Sequence, residues 1–193
     1  MSFRNILLFC TAAVLGFAAS AQAQIGVYGV VTGERISGFT CSDPQNRCAS
    51  NDGKERPYGG NFGIFYDWRN LGPARLGVDL RGGVTNANKS AQVYGTSTDF
   101  VRHYSAMAGP RVTFKTPFGA LHPYVEVVGG YARYLDATTV AQSGQVQGLA
   151  GVDVKILPFL DFRAIEFGAG ELFGSNSHFT ESIGAGVVLH FPR

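Results

Sequence analysis

His103 and Ser105 are the residues of this chain whose types and spacing come nearest to a hydrolytic pair. A histidine can act as a general base toward a serine hydroxyl, and side chains two positions apart on a strand lie on the same face. A third group normally orients the base, but the first acidic residue after Ser105 is Glu126. A polar pair in a strand interior or at a loop end is the simpler explanation, and we assign no catalytic site.

Cys41 and Cys48 are two of the three cysteines, and Cys10 lies in an apolar segment near the amino terminus. In an exported chain such a pair predicts a local disulfide. Closing so short a loop would stabilise the protein by about 2–3 kcal/mol on the chain-entropy account. A metal site is the competing interpretation and is weaker, because no second Cys/His pair lies at ligand spacing. We expect no metal and no cofactor.

In several stretches of the sequence, charged residues occupy alternate positions and apolar residues occupy the positions between them. Between 145 and 157, for example, Asp153 and Lys155 alternate with Val152, Val154 and Ile156, which is the period of a strand. The two signs are nearly balanced, so these charges could pair with one another if they faced the inside of a barrel. The predicted lumen charges are Asp67, Arg75, Asp79, Arg81, Arg111, Lys115, Glu126, Asp153, Lys155, Asp161 and Arg163.

Alternation and turn residues together predict an all-β chain of eight antiparallel strands in up-and-down order. The predicted strands are 25–33, 57–69, 74–85, 100–115, 121–133, 144–157, 159–172 and 179–191. We expect long connections after the first, third, fifth and seventh strands and short turns after the second, fourth and sixth. Long and short connections on opposite ends are typical of a bacterial outer-membrane barrel.

Residues 1–23 have the pattern of a secretory signal peptide. The segment has one charge, Arg4, an apolar run over 6–19, and Ala21-Gln22-Ala23 as a small-x-small cleavage site. The apolar run is shorter than the roughly 20 residues that a spanning helix needs. We therefore expect export, and a single mature domain over 24–193.

The composition of the mature chain excludes some partners and favours others. Without Arg4, 15 basic residues face 14 acidic ones, so nucleic acid is not expected.

With no later long apolar run, insertion into a membrane has to use strands. The charged face of each strand would then point into the lumen, and the apolar face would contact the lipid. Aromatic residues near both ends of the predicted strands fit two interfacial girdles. A soluble lipocalin-type barrel, with the apolar parity inside, is the structural alternative.

Two stretches carry a resemblance to a known family. Gly151 to Lys155 run through a proline turn into Leu160-Asp161-Phe162-Arg163, and 183–191 alternate up to a final aromatic, Phe191. The chain resembles the eight-stranded outer-membrane barrels of the outer membrane protein A-like family, including small stand-alone barrels like outer membrane protein X. The resemblance implies insertion by the barrel-assembly machinery, which reads the last strand, although Pro192 and Arg193 follow Phe191 here.

Several functions occur on such barrels, so the fold alone does not decide among them. We expect a multi-pass, monomeric outer-membrane barrel with a structural or surface-interaction role, its external loops forming the recognition surface for any ligand. Eight strands enclose about the space that side chains can fill. A narrow porin-like channel for small solutes is the alternative. A lipid A-modifying enzyme is the third hypothesis, because His103-Tyr104-Ser105 is similar to the His-x-Ser element of lipid A deacylases.

Overall fold

The computed structural model describes residues 24–37, 54–89, 99–117, 119–135, 140–174 and 177–191. The predicted signal peptide, Cys41 and Cys48 lie outside these residues. No helix in the described part of the chain is long and apolar enough to cross a membrane.

The fold is a closed antiparallel barrel, as the sequence predicts. Each long strand pairs with the next, and β1 pairs with β9 from Ile25 opposite Phe191 to Ile36 opposite Thr180. This closure leaves no edge strand between the first and last elements. The strands are β1 Gln24–Ser37, β2 Lys54–Glu55, β3 Tyr58–Asn70, β4 Ala74–Lys89, β5 Asp99–Phe114, β6 Leu121–Leu135, β7 Val140–Leu157, β8 Leu160–Phe173 and β9 His178–Phe191. The prediction of eight antiparallel up-and-down barrel strands is confirmed.

The connections differ from the sequence prediction. The two-residue β2 pairs with Ile36 and Ser37 and was not predicted, because so short an element has no readable period. At the same end, β6 and β7 continue to Leu135 and Val140, and β8 and β9 leave only 174–177 between them. Two of the four connections expected to be long, those between β6 and β7 and between β8 and β9, are therefore short. Backbone pairing with a neighbouring strand continues these strands into polar residues, which from the sequence alone indicate a loop.

Apolar and charged residues are distributed in the opposite way to a water-soluble barrel. The outer wall carries large exposed apolar side chains, including Phe62, Leu80 and Val127, which are each about 60% exposed. The inward positions bury arginines and carboxylates. An apolar wall of this extent has to be covered, and the hydrocarbon of a bilayer covers it without a partner protein. The fold is that of a transmembrane barrel.

Candidate functional site in the barrel lumen

Three arginines from three strands meet in the lumen. Arg81 lies on β4, Arg111 on β5 and Arg163 on β8, each at an inward position. Their side chains are at most 1% exposed. Because a buried guanidinium has lost its water, each needs carboxylates and other polar partners from the protein.

Four carboxylates supply most of those partners. Arg163 and Asp153 form a bidentate pair, with Nε to Oδ1 at 2.8 Å and Nη2 to Oδ2 at 3.2 Å. Arg81 makes two parallel bonds of 3.0 Å to Glu166, whose Oε2 also accepts from Arg163 Nη1 at 2.9 Å. Such forked pairs fix direction as well as distance. The four carboxylates are Asp79, Glu126, Asp153 and Glu166.

Shared carboxylates join the three arginines into one network. Glu126 bridges Arg111 Nη1 and Arg81 Nη2, the latter at 3.3 Å. Asp153 Oδ2 bridges Arg163 and Arg111, each at 3.2 Å. Removing any one arginine would therefore leave at least two buried carboxylates short of a partner.

Aromatic rings and guanidinium groups alternate around a closed cycle in the lumen, here called the guanidinium–aromatic stack. The guanidinium of Arg111 lies between two rings, 4.1 Å from the centre of Phe65 and 4.0 Å from that of Tyr124. The guanidinium of Arg163 lies 4.4 Å from both Tyr124 and Tyr28. Cations over ring faces are attracted by the ring quadrupole, most strongly when dry. The order around the cycle is Phe65, Arg111, Tyr124, Arg163 and Tyr28, and the cycle closes because the ring centres of Tyr28 and Phe65 are 6.5 Å apart. Arg81 lies 5.5 Å from the ring centre of Tyr28.

The two tyrosine hydroxyls tie the stack to the carboxylates. Tyr124 Oη donates to Glu166 Oε2 at 2.5 Å, and Tyr28 Oη donates to Asp79 Oδ2 at 2.7 Å. Tyr28 Oη also accepts from Arg81 Nε at 3.1 Å. Each tyrosine therefore supplies an apolar face to a guanidinium and a hydroxyl to a carboxylate, which is how a buried tyrosine is satisfied.

Inward-facing Gly151 makes room for one of these rings. A Cβ at this position would lie 2.5–2.7 Å from the hydroxyl and ring atoms of Tyr124. We predict that Gly151→Ala lowers the free energy of unfolding by about 1–3 kcal/mol, the usual cost of overpacking. Urea unfolding in detergent micelles measures it. Gly148→Ala on the outer face of the same strand is the control, since its Cβ would meet nothing closer than 3.8 Å; equal effects would contradict the prediction.

Nine of the eleven predicted lumen charges lie at inward positions. Eight of the nine are buried, six of them in the network of arginines and carboxylates and the other two, Asp67 and Asp161, towards the short-turn end, while Arg75 is half-buried and donates to Gln24. Lys115 and Lys155 are exposed at the rim of the short turns. Lys115 follows the last residue of β5 and donates to Asn70 Oδ1 at 2.7 Å, so it does not join the network.

The sequence did not predict Glu166 as a lumen residue. Counted by strict alternation from Arg163, Glu166 would face outward. A register irregularity between Arg163 and Glu166 in the pairing of β8 with β9 reverses the parity and turns the carboxylate inward. Tyr28, Phe65 and Tyr124 were also missed as lumen residues, although each shares its strand parity with inward polar residues.

Gln24, Arg75, His122, Asp161 and His190 form a second polar group at the short-turn end of the lumen. Asp161 Oδ2 lies 2.9 Å from His190 Nε2 and 3.2 Å from His122 Nδ1. Gln24 Nε2 lies 2.7 Å from His190 Nδ1, and Gln24 Oε1 accepts from Arg75. An arginine can only donate, which orients the Gln24 amide and makes His190 Nδ1 an acceptor. Both ring nitrogens of His190 therefore have a polar partner in the lumen.

The predicted His103 and Ser105 pair faces the lumen at the long-loop end. His103 is 2% exposed and its Nδ1 lies 3.0 Å from Glu34 Oε2, which also accepts from Thr85 at 2.9 Å. The acidic neighbour of His103 therefore comes from β1 and not from a later residue. A lipid in the surrounding bilayer cannot reach a histidine buried inside the wall, so this geometry does not suit lipid chemistry.

No protein-family model and no curated protein matches this sequence significantly. Among solved structures, Neisserial surface protein A is similar over 86% of this chain and 97% of its own, with 16% identity and a TM-score of 0.56. The outer membrane protein OprG from Pseudomonas aeruginosa is similar over 89% of this chain and 97% of its own, with 9% identity and a TM-score of 0.52. The chain has the fold of these outer-membrane barrels.

The comparisons agree with the resemblance that the sequence carries, at the level of the fold. Both neighbours are matched over nearly their whole length, so the similarity includes the closed barrel and not a single hairpin. Identities this low transfer no activity and no ligand. The role of the chain has to be argued from its own lumen and surfaces.

Proposed function

We propose that this protein is a monomeric barrel of the bacterial outer membrane with a closed lumen, and that its role is structural or lies in surface interactions made by its external connections. The observation that carries the proposal is the guanidinium–aromatic stack. Guanidinium groups 4.0–4.4 Å from ring centres on both sides leave no space for water between them. A solute that crosses the barrel would have to break paired charges in a low-dielectric interior.

An apolar layer supports the same conclusion. Met107, Val128 and Leu149 pack together on inward positions of β5, β6 and β7. They are 4%, 0% and 4% exposed. Val128 follows Glu126 by two residues on β6, so this layer lies directly above the charge network on the long-loop side. On the side of the lumen formed by β5, β6 and β7, an ion that leaves the charge network would therefore meet apolar side chains.

The outer surface fits the proposed location. Along β9, Ile183, Val187, Leu189 and Phe191 are all exposed on the outer face. This alternating pattern supports recognition of the last strand by the barrel-assembly machinery, after export directed by the predicted signal peptide. The long connection that follows β1 contains Cys41 and Cys48, whose disulfide would restrain a recognition surface. Among the described residues, no contact favours the narrow pore or the lipid A-modifying enzyme over this proposal.

We predict that the connection after β4 is external and the turn after β3 is periplasmic. A peptide tag inserted between residues 93 and 94 should be labelled by an antibody on intact cells. The same tag inserted after Leu71, in the turn at the opposite end, should be labelled only after the outer membrane is permeabilised. Labelling of the second tag on intact cells would show the reverse orientation and remove the proposed recognition surface.

A further inference from the structure

Two exposed arginines lie side by side on the outer wall at the long-loop end of β5 and β6. Arg133 is opposite Tyr104 in the pairing of the two strands, and Arg102 is the next outward residue along β5. Arg102 and Arg133 are therefore diagonal neighbours, at the separation of about 7–8 Å that long side chains can bridge. Their guanidinium groups can contact a single anion from two sides.

The positive charge of this pair has no counter-charge on its part of the wall. Arg102 donates to two neutral acceptors, Asn86 Oδ1 at 2.8 Å and Tyr104 Oη at 3.2 Å. Among the described residues, no side chain bonds to the guanidinium of Arg133. By the alternation along each strand, no outward position of β4, β5, β6 or β7 carries an aspartate or a glutamate. The outward face of these four strands therefore has two positive charges and no negative one.

A depression of about 650 Å³ lies in the outer wall on the short-turn side of this pair. It reaches Ala106, the next outward residue after Tyr104 on β5, and Gly82, which is opposite Ala106 on β4. The ring of Phe62 leans over Gly82, where a Cβ would lie 3.0 Å from the ring, and Leu80 borders the same depression. Small residues thus leave an apolar hollow directly beside the two arginines.

Two tyrosines place this group of residues at the membrane boundary. Tyr131 is opposite Ala106 and is 46% exposed on the outer wall, and Tyr104 adjoins both arginines. Tyrosines on the outer wall of a membrane barrel concentrate at the interface between hydrocarbon and headgroups. Arg102 and Arg133 are therefore at the depth of lipid headgroups, and the depression beside Ala106 lies in the hydrocarbon.

We propose that Arg102 and Arg133 bind the phosphate of a lipid in the surrounding leaflet, and that an acyl chain of this lipid lies in the depression over Ala106. Arginine suits this task because its planar group donates in parallel to two oxygens of a phosphate. The hydroxyl of Tyr104 accepts from Arg102, so its own proton is available to a third phosphate oxygen. The proposal rests on the membrane location proposed above and names a lipid partner for it.

Two variants separate the two halves of the site. Arg133→Gln removes one guanidinium, and Ala106→Leu fills the depression without changing charge. Arg35→Gln is the control for charge, since Arg35 is an exposed arginine at the same end of the barrel whose guanidinium is paired with Glu181. Ala150→Leu is the control for size, since Ala150 is exposed on the outer wall of β7, outside the depression.

The experiment measures lipid binding directly. The refolded proteins in uncharged maltoside micelles are titrated with dihexanoyl phosphatidic acid, and bound lipid is counted by native mass spectrometry. Dihexanoylglycerol, which has the same chains without the phosphate, is titrated in parallel, and inorganic phosphate is added as a competitor. A heat-dependent shift in gel migration confirms that each variant is folded.

We expect wild type, Arg35→Gln and Ala150→Leu to bind one phosphatidic acid with the same affinity. Arg133→Gln should bind about five-fold more weakly, the usual effect of one basic group at a membrane surface, and Ala106→Leu about ten-fold more weakly, as for the loss of two buried methylene groups. Equal binding by wild type and both site variants would overturn the proposal, as would equal affinity for dihexanoylglycerol. Full displacement of the lipid by millimolar phosphate would also overturn it and show a free-phosphate site. The titration is independent of whether the barrel conducts.

Discussion

Replacement of Arg163 by methionine is expected to lower the free energy of unfolding by about 3–5 kcal/mol, the range for breaking a buried ion pair from one side. Methionine fills similar volume but leaves Asp153 without its bidentate partner and Glu166 without one of its two arginines. It also removes the cation between Tyr28 and Tyr124. The measurement is urea unfolding in lipid vesicles, followed by the fluorescence of Trp68, the single tryptophan of the chain.

Lys155→Met is the matched control for this prediction. Lys155 is a basic residue on β7 but is exposed at the short-turn rim. Exposed substitutions of this kind usually change stability by no more than about 0.5 kcal/mol. If Lys155→Met and Arg163→Met were equally destabilising, the lumen network would contribute nothing beyond ordinary surface electrostatics.

Replacement of Tyr124 by alanine is expected to cost about 3–5 kcal/mol, as is usual for truncation of a large buried aromatic side chain. The ring is 1% exposed and separates Arg111 from Arg163. Without it the two guanidinium groups would face each other across a cavity. Because that cavity is lined by charges, we expect water to enter it. The same urea unfolding assay measures the loss of stability.

Tyr124→Phe distinguishes the ring from its hydroxyl. Phenylalanine keeps both guanidinium contacts and removes only the bond to Glu166 Oε2. A hydrogen bond to a charged group contributes about 1.5–3 kcal/mol, so Tyr124→Phe should be clearly less destabilising than Tyr124→Ala. Similar losses for the two variants would mean that the ring has no role of its own in filling the lumen.

Much of the fold was predictable because strand period is a local property of sequence. The alternation of Asp153 and Lys155 with Val152 and Val154 is visible without coordinates, and it predicts both the strand and its two faces. The choice of the charged face as the inner one needed further signals, which were the leader-like amino terminus and the connections. Lys155 alternates in step with the inward residue Asp153 but is exposed at the short-turn rim. Alternation along a strand does not indicate where along the barrel axis the lumen ends.

The network itself could not be predicted in full because it depends on pairing between distant strands. Glu166 faces inward only because of a register irregularity between β8 and β9, which no spacing within β8 reveals. The stack brings Tyr28 of β1 beside Arg163 of β8, and their contact exists only once the barrel has closed. Sequence reasoning predicted charges that could pair, but it could not predict the rings between them.

The lumen network fills an interior that the hydrophobic effect does not fill in a membrane barrel. With an apolar outer wall in lipid, the hydrophobic effect that holds a soluble core together is directed outward and does little to fill the inside. Charge pairs, ring faces and short hydrogen bonds fill it in this protein. Buried ion pairs of this kind are costly to form and more costly to break, which supports the proposal of a rigid, closed scaffold for external connections.

Conductance of the refolded chain 24–193 in planar lipid bilayers tests the closed lumen most directly. Folding is confirmed first by a heat-dependent shift in gel migration. We predict that the wild-type protein leaves the bilayer sealed and that Tyr124→Ala, with its stack interrupted, raises the conductance. Discrete and reproducible channels from the wild-type protein, unchanged in Tyr124→Ala and Arg163→Met, would contradict the proposed closed lumen and favour a narrow pore.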